Sequence, residues 1–385
     1  ASEQPSTLEA ANPTGLITLD FQHPVRAADF LESFTRKRPI DGVVGVDDDT
    51  AIVAAAVAGR LTLKGNSLQA AVAARDKHRQ RELLAKAGVP IPRFELHTFR
   101  EDPEAISRSV AYPCVLKPLR LSASRGVIRA DNASDFLAAH ARLRGILAEP
   151  DAAACGEPSG QFLVEEFIAG YEVALEGLLM NRRLQALAIF DKPDPLDGPF
   201  FEETIYVTPS RTPASLQAAI TDCAERAANA LGLTDGPIHA ELRYNERGPW
   251  LIELAARPIG GRCSAVLRFR SPEPGAGSWT SLEEIILRHA LGMPNGSLQR
   301  ERLAAGVMMI PIPGAGTLKE VRGIGEAKAV PLIEDVQITA HLGERLVPFP
   351  GGSRYPGFIF ARGETPAQVE RALREAHRRL TFVLA

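Results

Sequence analysis

The sequence predicts an α/β protein of α+β modules, with a small leading parallel α/β domain and a C-terminal β-rich domain. Three observations carry this. Strand and helix signals alternate in βαβα order over residues 15–58, short strands and helices alternate again from Phe94 to Phe167, and after Pro294-Asn295-Gly296 the composition shifts to Val, Ile, Gly and Pro. The domains read this way are 1–66, 67–300 with a lid module near 94–167, and 301–385.

Residues 1–13 are polar and loosely held. Gly15 to Asp20 reads as a strand, Pro24 to Arg36 as a helix, Gly42 to Val46 as a strand ending in Asp47-Asp48-Asp49, and Thr50 to Ala58 as a helix capped by Thr50. A nucleotide-fold module of this type has a further βα unit before the first strand, so the leading domain reads as truncated or reduced. Asn66-Ser67 opens a helical region that continues from Asp76 to Ala87, with Gly88 as its C′ residue before Val89-Pro90. Tyr112 to Pro118 is a buried strand, and Leu121-Ser122-Ala123-Ser124-Arg125-Gly126-Val127 a flexible loop returning into another. Residues 161–190 read as strand, turn, strand, strand. Pro213 to Leu231 is an amphipathic helix, and Ser281 caps a helix to Ala290. Residues 303–362 are β-rich, closed by a helix from Thr365-Pro366 to Leu380.

The segment 238–261 carries the sharpest signal. Ile238, Ala240 and Leu242 alternate with His239, Glu241 and Arg243, which marks a strand with one buried face, and Trp250 to Leu254 reads likewise. Tyr244 to Pro249 is rich in turn residues, so the two form a hairpin centred near Arg247. Glu241 and Glu253 are equidistant from that centre. Directly opposed carboxylates, roughly 5 Å apart at Cβ, repel or drive one to take up a proton. A hard divalent ion such as Mg²⁺ suits two carboxylates with no Cys or His cluster. Taken alone, the pair reads more readily as two solvated glutamates on an exposed hairpin.

Composition narrows the function classes. The 385 residues, 45% hydrophobic and 24% charged, are those of an ordinary globular protein, and the net charge of -3 provides no basic footprint for nucleic acid. Cys114, Cys155, Cys223 and Cys263 lack a paired spacing, which argues against a zinc site or a disulfide framework and fits a reducing, cytoplasmic setting. The apolar stretch Ala51 to Ala58 is too short to span a bilayer.

Further residues fit phosphate chemistry. Lys117 ends an apolar strand and precedes a Ser/Gly loop, the layout of a phosphate grip: a point charge with the N–H groups of 122–126 able to fold over phosphate oxygens. Lys77 sits on a helix. Each lysine alone also fits a snorkelling surface role. Phe162 to Glu172 is an apolar strand running into carboxylates, whose backbone edge suits an adenine ring and whose Glu172 suits ribose hydroxyls. Arg257, followed by Pro258-Ile259-Gly260-Gly261, puts a cation and two small residues beside the carboxylate pair, where it can clamp a transferring phosphoryl group.

As a set over residues 67–262, these features resemble the ATP-grasp superfamily. The stretches "LKP…SASRGV", "VEEFIAGYEVALEG", "FDKPDPLDGPFFEE", "HAELR" and "LIELAARPIGG", followed by "AAGVMMIPIPGAGTL" and "GFIFARGET", look most like its L-amino-acid ligase type of carboxylate-amine ligase. The resemblance implies an ATP-grasp fold with ATP and Mg²⁺ (Mn²⁺ as a substitute). Lys77 and Lys117 would hold phosphates under a cover formed by Ser122, Ser124 and Gly126. Glu165, Glu166, Phe167 and Ile168 would frame adenine, and Glu172 would take the ribose. Glu241 and Glu253 are the implied metal ligands. Arg257 would meet the γ-phosphate and then the acyl phosphate, with the Gly260 and Gly261 N–H groups as oxyanion donors. Many relatives carry an asparagine two residues after the second glutamate; here it is Ala255, which leaves a second ion short of a ligand. His239 reads equally as a catalytic group and as a hydrogen-bonded partner of a carboxylate. Asp191-Lys192 and Glu202-Glu203 fall near the acceptor pocket by the same resemblance.

The implied activity joins a small-molecule acid to an amine, with a homodimer as partner and neither nucleic acid nor membrane involved. Two alternatives stay open: a small-molecule kinase on the same fold, and a nucleotide-binding regulatory protein without ligase activity. Biotin carboxylase is disfavoured, because 122–126 lacks the long glycine run of that branch.

Overall fold

A computed structural model of the chain describes residues 17–270, 279–296, 298–352 and 354–385. Helices α1 (Pro24–Thr35) and α2 (Asp48–Leu61) lead, packed through Ala27, Leu31, Val53 and Val57. α2 begins at a capping box. Asp47 accepts the Thr50 N–H while the Thr50 hydroxyl accepts the Asp47 N–H, so Asp47, not Thr50, is the N-cap. The small parallel sheet expected over 15–58 is not formed among the described residues. Residues 42–46 run without a ladder, Thr18 makes only a single bridge, and Gly15 and Leu16 lie outside the described residues. Ile17, Leu19 and Val43 instead bury against the two helices, so their apolar surface is covered without strand pairing.

Ser67 and Asp76 cap α3 (Leu68–Arg75) and α4 (Lys77–Lys86). The next module is a four-stranded antiparallel sheet in the order β1-β4-β2-β3, from β1 (Phe94–Thr98), β2 (Cys114–Pro118), β3 (Ile128–Ala130) and β4 (Gln161–Glu166). Its helices are α5 (Pro103–Ser109), α6 (Ala133–Leu147) and the short α7 (Pro150–Ala153). Leu116, Phe136, Leu143 and Phe162 fill its core.

The larger sheet has eight strands. It uses β5 (Tyr171–Met180), β6 (Arg183–Lys192), β7 (Ile205–Thr208), β8 (Gly236–Asn245) and β9 (Gly248–Ala255), with α8 (Ala214–Ala230) across one face. β10 (Phe269–Arg270) and β11 (Gln299–Arg300) form a separate ribbon around α9 (Leu282–Ala290). Then come β12 (Ala304–Met309), β13 (Gly316–Arg322), α10 (Ile324–Lys328), β14 (Ile333–Ile338), β15 (Arg345–Leu346), β16 (Gly357–Gly363), α11 (Pro366–Arg378) and β17 (Thr381–Leu384). β12 pairs with β7, so the sheet runs β14-β16-β12-β7-β6-β5-β8-β9, crossing the domain boundary expected near 300 without a break. β17, after the closing helix, pairs with β13.

One irregularity sets the site. The β8–β9 turn is two residues, Glu246-Arg247, flanked by Asn245 opposite Gly248, and this register alone would set Glu241 against Ile252. A bulge between Leu242 and Glu241 absorbs Ile252 and brings Glu241 opposite Glu253. It also lets Leu251 and Leu254, three apart, both enter the core against α8 while Glu253 stays on the opposite face.

β9 is an edge strand, and α4 covers it. The Gln80 side chain accepts the Leu254 N–H at 3.1 Å and donates to the Leu254 carbonyl at 2.9 Å. Gln80→Leu leaves both backbone groups buried and unpaired, at roughly 1–3 kcal/mol each. The expected result is a loss of about 2–6 kcal/mol in chemical denaturation, with reduced order in β9 read by amide hydrogen exchange.

Candidate active site

A cleft of about 670 Å³ opens between the two sheets, bounded by the N-terminus of α2 on one side and residues 339–358 on another. It is lined by every residue expected to meet phosphate, adenine, ribose, metal or oxyanion except Gly126; of the residues expected near the acceptor pocket Glu203 lines it, and Asp191, Lys192 and Glu202 do not. Gly126, at φ +75°, instead donates its N–H to the Pro350 carbonyl at 3.0 Å, and a Cβ there would press on Leu143. It shapes the loop from behind rather than covering a ligand.

The cleft floor is the polar face of the large sheet. Glu172 from β5, Lys192 from β6, Glu241 from β8 and Glu253 from β9 project from neighbouring strands, and Glu203 enters just before β7. Lys192 is the hub. Its ammonium lies 2.7 Å from Glu172, 2.5 Å from Glu203 and 3.0 Å from Glu241. Carboxylate oxygens of these three acids all lie within 4.8 Å of one another. Burial disfavours the Lys192 charge, but the three carboxylates override it and raise its pKa well above the ordinary value. Burial likewise works against ionised Glu241, yet Lys192 and His239 hold it well below the usual carboxylate range, while Glu203 is pushed up by its burial and by Glu241. His239 Nε2 lies 3.4 Å from Glu241, and burial lowers its pKa, so the ring is neutral at pH 7.

Glu253 takes a different cation. Lys77 Nζ sits 2.9 Å from its carboxylate and donates to the Leu121 carbonyl, also at 2.9 Å. Each member of the opposed glutamate pair is thus neutralised by its own lysine. The three carboxylates gathered around Lys192 form an all-oxygen donor set that suits a hard divalent cation; Glu253, paired with Lys77, is not one of that group.

The wall that carries Lys117 is built on a buried ion cluster. Glu165 receives Arg81 at 2.7 Å and Lys117 at 2.8 Å, and Arg81 also donates to the carbonyl of the bulged Ile252. Although burial penalises its charge, the two cations lower the Glu165 pKa to about 2. Glu165 was expected to frame adenine; its carboxylate is instead consumed in aiming Lys117. The Glu166 and Phe167 N–H groups are also spent, on the Arg93 and Pro113 carbonyls, and the Glu166 carboxylate pairs with Arg93. The Ile168 N–H is the donor of this stretch with no backbone partner among the described residues. Phe167 lies between the Arg129 guanidinium, 4.1 Å from its centroid, and that of Arg243, at 4.9 Å.

Arg257 meets an unexpected partner. Asp48, first residue of α2, accepts its Nε at 2.9 Å and the Ser122 hydroxyl at 2.5 Å. Burial opposes the charge on Asp48, but Arg257 and Arg75 hold its carboxyl far below the usual range. One carboxylate therefore joins the leading helix, the 122–126 loop and the 257–261 loop. Sequence reasoning missed Asp48 and the hub role of Lys192. The Asp47-Asp48-Asp49 run before a helix was a usable signal for the first; nothing local distinguished the second.

Residues 110–266 match the ATP-grasp domain model, and residues 308–385 match the model of L-amino acid ligase C-terminal domain 2. The chain is 31% identical over 214 residues to the alanine–anticapsin ligase of Bacillus subtilis (strain 168), covering 52% of this chain and 45% of that one. It is 25% identical over 325 residues to dapdiamide A synthase of Enterobacter agglomerans, covering 80% of this chain and 72% of that one. Among solved structures, the L-amino acid ligase from Bacillus licheniformis superposes with a TM-score of 0.79 at 27% identity, over 94% of this chain and 85% of that one. Phosphoribosylglycinamide synthetase from Anaerococcus prevotii, at 15% identity and a TM-score of 0.64 over 96% of this chain and 88% of that one, shares the fold. The chain spans about half the length of the curated relatives it first matches.

The Glu165 cluster predicts an acid sensitivity. Because the folded-state pKa is depressed to about 2, its stabilisation is complete above the unfolded value near 4.5 and lost as pH falls through that window. Glu165→Gln, which strands Arg81 and Lys117, should cost roughly 3–5 kcal/mol at pH 7 and flatten the stability profile between about pH 5 and 2. Chemical denaturation across that range checks both.

Proposed function

We propose that this chain, which belongs to the ATP-grasp superfamily and carries an L-amino acid ligase C-terminal domain, is an ATP-dependent ligase joining the carboxylate of an amino acid to an amine. The observation that carries the reading is the bulge-set opposition of Glu241 and Glu253, across a cleft whose other walls present Lys77, Lys117 and Arg257. Acids and cations arranged this way neutralise a polyphosphate and its counterion together.

In this reading Lys77 and Lys117 hold phosphate oxygens, Ser122 and Ser124 cover them, and Glu172 takes the ribose. Glu241 and Glu253 would hold magnesium, with Glu203 close by. The bound metal supplies Lewis-acid neutralisation of charge on the transferring phosphoryl group. The substrate carboxylate oxygen attacks the γ-phosphorus as the bond to the β–γ bridging oxygen breaks, giving ADP and an acyl phosphate. Arg257 balances the spreading charge. The amine nitrogen then attacks the acyl carbon, and phosphate leaves with the C–O bonding electrons. Arg257 and the Gly260 and Gly261 N–H groups would meet the tetrahedral oxyanion. Closure of the small sheet over the cleft keeps water from the acyl phosphate. The L-amino acid ligase C-terminal match favours this ligation over the kinase and regulatory alternatives. The free thiols of all four cysteines support a reducing cytoplasm as the setting.

The test is release of ADP and phosphate from ATP and Mg²⁺, screened over pairs of amino acids. Both substrates should be required. Glu253→Gln should reduce turnover at least about 100-fold, as should removal of the metal with chelator. Phosphate retained on a product without free phosphate would identify a kinase; binding without turnover for any pair would identify a regulatory protein.

A further inference from the structure

Glu176, at 0% exposure, is an acid buried completely in the large sheet that the proposed chemistry does not use. It stands on β5 on the face that carries Glu172, between Ala174 and Leu178, both fully buried in the core beneath the 257–267 segment. An apolar side chain would suit such a place. Instead its Oε2 accepts the Ile259 N–H at 2.9 Å, and its Oε1 has no hydrogen-bond partner among the described residues. The side chain's polar link is therefore to the loop that carries Arg257, Gly260 and Gly261.

We propose that Glu176 is the positioning residue of that loop, fixing Ile259 so that Arg257 and the Gly260 and Gly261 N–H groups point into the cleft. Ile259 is itself buried, so without an acceptor its N–H would be unpaired away from water, and the loop would turn to pair it elsewhere. A single N–H donor also does little to support a buried carboxylate charge. Burial raises the Glu176 pKa well above the usual range; Arg257 opposes the rise and Glu283 of α9 adds to it. His239 stands directly opposite on β8. Glu176 works as a neutral acid whose carbonyl oxygen is the acceptor, and an amide does the same work.

The role of the loop rests on the ligase reading, so the test has two independent arms. In the first, amide hydrogen exchange is followed over peptides spanning 257–261 in wild type, Glu176→Gln, Glu176→Leu and Glu176→Met. Protection should be unchanged in the Gln variant and fall about tenfold or more in the Leu and Met variants, with ATP affinity by calorimetry equal in all four. In the second arm, kcat for ligation should fall about 10- to 100-fold in the Leu and Met variants, while Glu176→Gln keeps the wild-type rate and an overlapping pH profile. Full protection in Glu176→Leu or Glu176→Met overturns the proposal. So does a Gln variant as impaired as the Leu variant, since the charge would then be needed. If wild type forms no ADP with any acid and amine, the ligase reading fails while the exchange arm still decides the role of Glu176.

Discussion

Two like charges facing each other across a hairpin are the constraint around which this protein is organised. Glu241 and Glu253 occupy opposed positions because one residue, Ile252, is squeezed out of the ladder, and the repulsion so created has to be met by cations at fixed places. Lys192 and Lys77 meet it from opposite sides, and each brings a further element. Lys192 draws Glu172 and Glu203 into the same cluster, and Lys77 ties the Leu121 carbonyl at the root of the lid loop. The bulge is itself held, since Arg81 binds the Ile252 carbonyl with the same guanidinium that neutralises Glu165.

Most of the site was legible because its chemistry lies on regular elements. Alternation fixed the faces of β8 and β9, the apolar run before Lys117 marked a buried strand, and Arg257 with its two following glycines marked a cation beside the carboxylate pair. The reading of the glutamate pair was right in outcome but not in cause. It assumed symmetry about Arg247, whereas the turn is centred one half-residue earlier and the bulge restores the register. A bulge leaves little trace in a single sequence beyond two buried leucines spaced by three, Leu251 and Leu254.

What stayed hidden depended on contacts distant in sequence. Glu165 looked like a ligand-facing acid because strand alternation cannot reveal that Arg81, 84 residues earlier, fills the space beside it. Asp48 meets Arg257 across 209 residues. In the leading region the strand signals were local propensity that forms no ladder among the described residues, and two helices packed face to face already covered their apolar side chains. The β-rich C-terminal composition was read correctly, yet continuity of its strands with β7 is a tertiary fact that no composition shift reports.

The Gly126 and Arg125 contacts carry a mechanical consequence. Gly126 donates to Pro350, Arg125 donates to Gly351, and the same guanidinium is braced by Glu149 and Asp151. The hinge of the cover is thereby bolted to the far end of the chain, so swinging it outward must break bonds to the segment leading into the cleft-facing Arg354 and Tyr355. In the proposed ligase, nucleotide entering and product leaving would work against one shared spring, with residues 348–352 setting the resistance at both doors.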